Sequence, residues 1–158
     1  MGVTSFFHGY FSVLLIGSPI LQAFGINCPD GWMFYRNHCY KFFEDFLPWI
    51  QAEVDCKLSQ KTSYLVSISD EEEMSRIKSW LLPIHISQPI WIGLNRLQGS
   101  KRRWRWTNMS TSIYRNWKNS KRANNNEEKN CAMMVFHKGE LKWYAENCAL
   151  PLNYVCQL

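Results

Sequence analysis

Apolar positions recur along this chain with two different periods, and the change between them divides it. Trp49, Ala52 and Cys56, with Glu53 among them, fall at helical spacing, and Pro48 is placed to begin the first turn. That spacing predicts a helix with Cys56 facing the core. Ser69-Asp-Glu-Glu72 reads as a capping box, Ser69 accepting from the third helical amide while Glu72 reaches back to the cap. The acidic first turn also suits the helix dipole. Met74, Ile77 and Leu81 then make the buried stripe of a second helix, which Pro83 closes.

Beyond Pro83 the helical period gives way to short apolar runs. Cys39–Phe43, earlier in the chain, already has strand composition and follows Pro29, Asp30 and Gly31, which fits a short hairpin. Ile90–Leu94 is a second strand candidate. Arg103-Trp-Arg-Trp106 alternates, as a strand with one buried face would. Cys131–Phe136 and Leu141–Trp143 flank a turn at His137-Lys-Gly-Glu140, and Asn153–Cys156 supplies a last strand. From Tyr114 to Cys131 no period is present, only a polar run rich in Asn and Lys. Early helices, late strands and a long irregular loop predict an α+β domain.

Charge and composition sharpen this picture. Met1–Gly25 holds no Lys, Arg, Asp or Glu, and its apolar run at Phe11–Ile16 is shorter than the roughly 20 residues a membrane span needs. Small residues at Ala23 and Gly25 place a signal-peptidase cut before Ile26. The expected mature chain, residues 26–158, is a single secreted domain without a transmembrane segment. Residues 26–93 carry 6 Lys/Arg against 9 Asp/Glu, and residues 94–158 carry 12 against 4, so −3 and +8 give the overall +5. The basic character belongs to the second half. Cys28, Cys39, Cys56, Cys131, Cys148 and Cys156 are an even set in an exported domain, which reads as a disulfide framework with 15 possible connectivities.

These residues carry a resemblance. Trp49-x-x-Ala52-x-x-x-Cys56, Trp91-Ile-Gly-Leu94, Asn116-Trp117 and the closing Tyr154-Val-Cys156 make the chain similar to a C-type lectin-like domain in its long form. Ser87–Leu94 and the small secreted layout most resemble the regenerating (Reg, lithostathine-like) proteins, with snake-venom C-type lectin-like subunits next. The resemblance implies a fold of two helices, small antiparallel sheets and a long irregular loop. It also implies the pairs Cys28–Cys39, Cys56–Cys156 and Cys131–Cys148. Venom subunits usually carry a further inter-chain cysteine, which this sequence lacks.

Sugar-binding members of that family hold calcium with an acid-bearing triplet in the long loop, a further acid before the fourth cysteine, and a Trp-Asn-Asp triplet. Counted from Asn116-Trp117, those positions fall here on Lys121-Arg122-Ala123, Lys129 and Trp143-Tyr144-Ala145. Ammonium groups stand where a hard cation wants oxygen ligands, so no metal and no cofactor are expected. Asn124-Asn-Asn-Glu-Glu128 contains oxygen ligands that a slipped loop would gather; the competing reading is a solvated polar loop.

In their place stands a cationic stretch: Lys101, Arg102, Arg103, Arg105, Arg115, Lys118, Lys121 and Arg122. Of these, all but Arg115 are taken as cationic donors to sulfate or carboxylate. Sulfated glycosaminoglycans such as heparin, acidic mucins and anionic lipid headgroups are the expected partners; the alternative is a merely solvated face. Trp104 and Trp106 are candidate stacking faces, with alternation putting at least one side in the core. No nucleic-acid recognition motif is present. His8, His38, His85 and His137 stand alone, no nucleophile–base pair is legible, and no enzyme is expected. Asn108-Met-Ser110 is a sequon for N-glycosylation. The expected function is calcium-independent binding of carbohydrate or polyanionic glycans. The alternative is a secreted ligand of a cell-surface receptor, for growth signalling or as a venom-like effector, with no sugar bound.

Overall fold

The computed structural model describes residues 28–97, 103–119 and 127–158. The expected leader, residues 1–25, and its cleavage point lie outside them. Strands β1 (Met33–Tyr35) and β2 (His38–Leu47) form the first hairpin, turning through Arg36 and Asn37 at φ 45° and 65°. Two central residues at positive φ match the right-handed twist of the strands they join. Helix α1 (Trp49–Ser59) follows Pro48 and buries Trp49, Ala52, Glu53 and Cys56, the stripe read from the sequence. A two-residue strand, β3 (Tyr64–Leu65), comes next and has no signal of its own in the sequence.

Helix α2 (Glu71–Leu81) buries Met74, Ile77 and Leu81 as expected, but its cap sits one residue later than the capping-box reading placed it. Asp70, not Ser69, accepts from the Glu73 amide (2.8 Å), and Glu73 Oε2 accepts from the Ser69 amide (2.7 Å). Burial decides the register. Glu73 lies on the Met74/Ile77/Leu81 side of the helix, where its Oε1 accepts from the buried Tyr40 hydroxyl at 2.5 Å. Glu72 faces outward and takes the Tyr35 hydroxyl (3.0 Å) and the Arg36 guanidinium. A single 3-10 turn, Leu82–Ile84, carries Pro83 and ends the helix at His85.

The remaining strands are β4 (Ile90–Asn95), β5 (Arg105–Trp106), β6 (Cys131–His137), β7 (Glu140–Glu146) and β8 (Leu152–Gln157). Of the strand expected over Arg103–Trp106, only the last two residues pair. The sheet order is β1-β2-β8-β4-β6-β7, with β3 also on β8 and β5 also on β4. Every pairing is antiparallel except β4–β8, so two antiparallel groups meet at a short parallel seam, Ile90↔Asn153 and Trp91↔Tyr154. β6 and β7 turn through Lys138 and Gly139, both at positive φ.

At Gly93, in the middle of β4, two other segments come very close. A Cβ there would lie 2.5 Å from the Leu65 carbonyl oxygen and 2.8 Å from Thr107 Cγ2. The Gly93 amide donates to Val66 O (2.9 Å), and Gly93 O accepts from Thr107 N (2.8 Å). Glycine is what lets the β3 end and the chain after β5 seat against β4 from two directions. The tryptophans of the α1 side satisfy their indole N–H groups on backbone, Trp49 to Ile92 O (2.8 Å) and Trp91 to Leu47 O (3.0 Å). Disulfides join Cys28–Cys39, Cys56–Cys156 and Cys131–Cys148, the pairs the resemblance implied. Cys56–Cys156 fastens α1 to β8 across 100 residues.

Candidate functional site at the long-loop end

Residues 107–119 carry no helix or strand of their own and are held by side-chain bonds. The Ser112 hydroxyl donates to the Ile68 and Ser69 carbonyls (3.4 and 3.1 Å), and the Tyr114 hydroxyl donates to Glu71 at 2.5 Å. That bond, with burial acting first, pushes the Tyr114 phenol well above its usual range. Backbone bonds then fasten the start of the long loop to β7: Lys118 N to Trp143 O (3.0 Å) and Trp143 N to Asn116 O (2.9 Å). Where the loop returns, Arg96 holds it. Its amide donates to Asn130 O (2.9 Å), its Nε to Asn130 Oδ1 (3.0 Å) and its Nη2 to Lys129 O (3.2 Å).

Between these two feet lies an aromatic cluster. Trp143 takes Trp106 and Tyr114 edge-on, each at 5.5 Å between centroids, and Trp117 at 5.9 Å. Trp104 and Trp117 pack at 4.8 Å, which holds the Arg103–Trp106 run against the Trp117–Lys118 run. The notion of open stacking faces does not survive this packing. Trp106 is core, 3% exposed, and half-buried Trp104 lies against both Trp117 and the Arg96 guanidinium, whose Cζ is 5.1 Å from the ring centroid. An indole packed this way braces the site.

The cations of this region sort into two kinds. Arg115 donates to the carbonyls of Ser112, Tyr114 and Trp104 (3.0, 2.6 and 3.3 Å) and lies over the Trp106 ring. Burial lowers its pKa from the usual guanidinium value. Lys129 pairs with Glu146 at 2.8 Å, and Lys142 donates to Asn116 Oδ1 at 2.9 Å. These side chains are structural. Arg103, Arg105 and Lys118, by contrast, are exposed and form no ion pair among the described residues. Lys101, Arg102, Lys121 and Arg122 lie outside the described residues. Sequence reasoning grouped Arg115 with the patch and passed over Arg96; nothing in the local sequence distinguishes a clamping arginine from a free one.

Comparison with known proteins fixes the family. The Lectin C-type domain model matches residues 46–158. The chain belongs to the C-type lectin domain family. It is 33% identical over 131 residues to the mouse regenerating islet-derived protein 4, covering 83% of this chain and 81% of that protein. It is 30% identical over 156 residues to the C-type lectin lectoxin-Enh4 of Pseudoferania polylepis, covering 94% and 98%. The structure of human lithostathine superposes with a TM-score of 0.75 at 28% identity, over 84% of this chain and 91% of that one.

The family's calcium ion is a poor match for the described residues. Lys129, which the resemblance lays on the later acid, pairs with Glu146 of β7 and neutralises that carboxylate. Trp143 is fully buried with its indole N–H unpartnered, and Tyr144 and Ala145 bring no carboxylate. A hard cation takes six to eight oxygens, and among the described residues no group of three or more His, Cys, Asp or Glu converges. The alternative ligand run, Asn124–Glu128, lies mostly outside them. Asn108, the sequon residue, is half-buried: its Nδ2 donates to the buried Ser67 hydroxyl (2.7 Å) and its Oδ1 accepts from Ser110 N (3.1 Å). Among the described residues, no helix is long and apolar enough to cross a membrane.

Proposed function

We propose that this is a secreted, non-enzymatic C-type lectin-like protein that binds polyanionic glycans, of heparin or acidic-mucin type, without calcium. One observation supports the reading: Arg103, Arg105 and Lys118 are exposed on segments packed together through Trp104 and Trp117, and none has a carboxylate partner among the described residues. Arg36, Lys57, Lys78 and Lys129 are each matched by an acid, whereas Lys61, Arg76 and Lys138 are exposed on other segments and form no ion pair among the described residues. Uncompensated neighbouring cations raise the local potential and attract polyanions in a salt-dependent way. Arginine adds a planar fork that fits sulfate and carboxylate. Lys101, Arg102, Lys121 and Arg122 are assigned to the same patch from their places in the sequence. Export follows from removal of residues 1–25, so the mature protein begins at Ile26. A glycan array and heparin chromatography, run at several salt concentrations with and without chelator, test the reading. Binding that weakens with salt and ignores chelator is expected; binding lost with chelator overturns it.

A second reading, a ligand for a cell-surface receptor, is favoured by a different feature. Met109 and Ile113 protrude from the 107–119 segment, 87% and 91% exposed. Ile113 stands on a shallow concavity of about 570 Å3 that also includes Asp70 and Glu71. Exposed apolar side chains beside such a recess suit a protein partner. Charge reversal at Lys121 and Arg122 separates the two readings, because an unchanged heparin elution salt favours the receptor.

A further inference from the structure

Arg96 is 6% exposed and so is not placed to meet a polyanion itself. It follows Asn95, which pairs with Arg105 across the β4–β5 ladder. From that position it reaches two ways. Its edge donates from Nε and Nη2 to Asn130 Oδ1 and Lys129 O at the loop's return, and its face lies against Trp104 between Arg103 and Arg105. We propose that Arg96 is a positioning residue that couples the two segments flanking the cationic site, so that the Arg103–Arg105 run and the foot of the long loop hold one relative placement. The functional consequence rests on the polyanion reading above; the coupling itself does not.

Arginine is needed because only a planar guanidinium offers two differently aimed donors in its plane while stacking on an indole. Lysine keeps the charge and can do neither at once. Lys129 reinforces the same foot from the other side through Glu146, and Arg115 fixes the Trp104 carbonyl. Arg96 alone of these three contacts both segments through its side chain.

The test is Arg96→Lys and Arg96→Gln in the full chain, with amide hydrogen exchange and heparin affinity measured on each. In Arg96→Lys, residues 103–106 and 127–131 lose protection together while α2 keeps its own. Heparin affinity falls at least about 5-fold, the lower end of ordinary coupling between sites, although net charge is unchanged. If Arg96→Lys matches the wild type in both readouts while Arg96→Gln does not, Arg96 acts only as a charge and the proposal fails. Ile77→Val, a core change on α2 that leaves the Arg96 contacts in place, controls for general destabilisation; equal loss of heparin affinity in that variant also overturns the proposal. A wild type that ignores heparin defeats the polyanion reading instead, and the exchange pattern still decides whether Arg96 couples the segments.

Discussion

The ion-paired cations of the helical body and the arginines of the long-loop end are used in different ways. In the body, Arg36 bridges Asp70 and Glu72, Lys57 lies beside Glu53, and Lys78 reaches Glu140. At the loop end, guanidinium groups either clamp backbone carbonyls, as Arg96 and Arg115 do, or stand exposed without an acid among the described residues, as Arg103 and Arg105 do. Exposed ion pairs add little stability, so the paired cations of the body mainly keep that surface neutral. The unpaired ones leave a field that a ligand can complete. If the proposed polyanion site is right, stability and recognition reside in different parts of one small domain, and substitutions should separate them.

The largest effect belongs to the body's staple. Replacing both Cys56 and Cys156 with Ser releases a loop closed across 100 residues, worth about 4 to 5 kcal/mol in the chain-entropy account. Urea unfolding should show a loss of that order or no cooperative transition at all, and a loss near zero would remove the disulfide from its central place. Gly93→Ala comes next. The added methyl meets the Leu65 carbonyl, which is backbone and has little room to retreat. A loss of about 1 to 3 kcal/mol is expected, as for other overpacked sites, with heparin affinity unchanged once folded protein is selected.

Asp70→Ala should cost about 1 kcal/mol, the usual worth of an N-cap. The Glu73 amide, and then Arg36, hold the Asp70 carboxyl below its ordinary pKa. A depressed folded pKa means the stabilisation is full above the unfolded value of about 3.9 and is lost as pH falls through the lower folded value. Thermal unfolding of wild type and variant should therefore converge in strong acid. A gap that persists there would mean that the cap acts without its charge.

Much of the body was legible in the sequence, and the reasons are local. The spacing of Trp49, Ala52 and Cys56 survives as the buried face of α1 because a helix packed on one side must repeat its apolar residues. Ser69 and Asp70 are both good caps, with Glu72 and Glu73 each three residues beyond, and the capping-box reading took Ser69, one residue early. Only the buried partner of Glu73, Tyr40, resolves the register. The loop end was legible as charge but not as geometry. Arg96, Arg103 and Arg115 look alike along the chain, and their fates depend on where Trp104, Trp106 and Asn130 arrive from other segments. The sequon at Asn108 is likewise legible in the sequence, whereas the bond of its amide nitrogen to Ser67 is not.

The smallest expected effect on stability accompanies the most direct test. Arg103→Glu with Arg105→Glu replaces two exposed, unpaired cations, and surface changes of that kind stay within about 0.5 kcal/mol. Heparin elution of this variant and of the wild type, each with and without chelator, addresses the central claim directly. The account predicts elution at clearly lower salt for the variant, an unfolding midpoint close to wild type, and no response to chelator in either protein. Wild-type retention that disappears when divalent metal is removed, or a variant that elutes with the wild type, would contradict it.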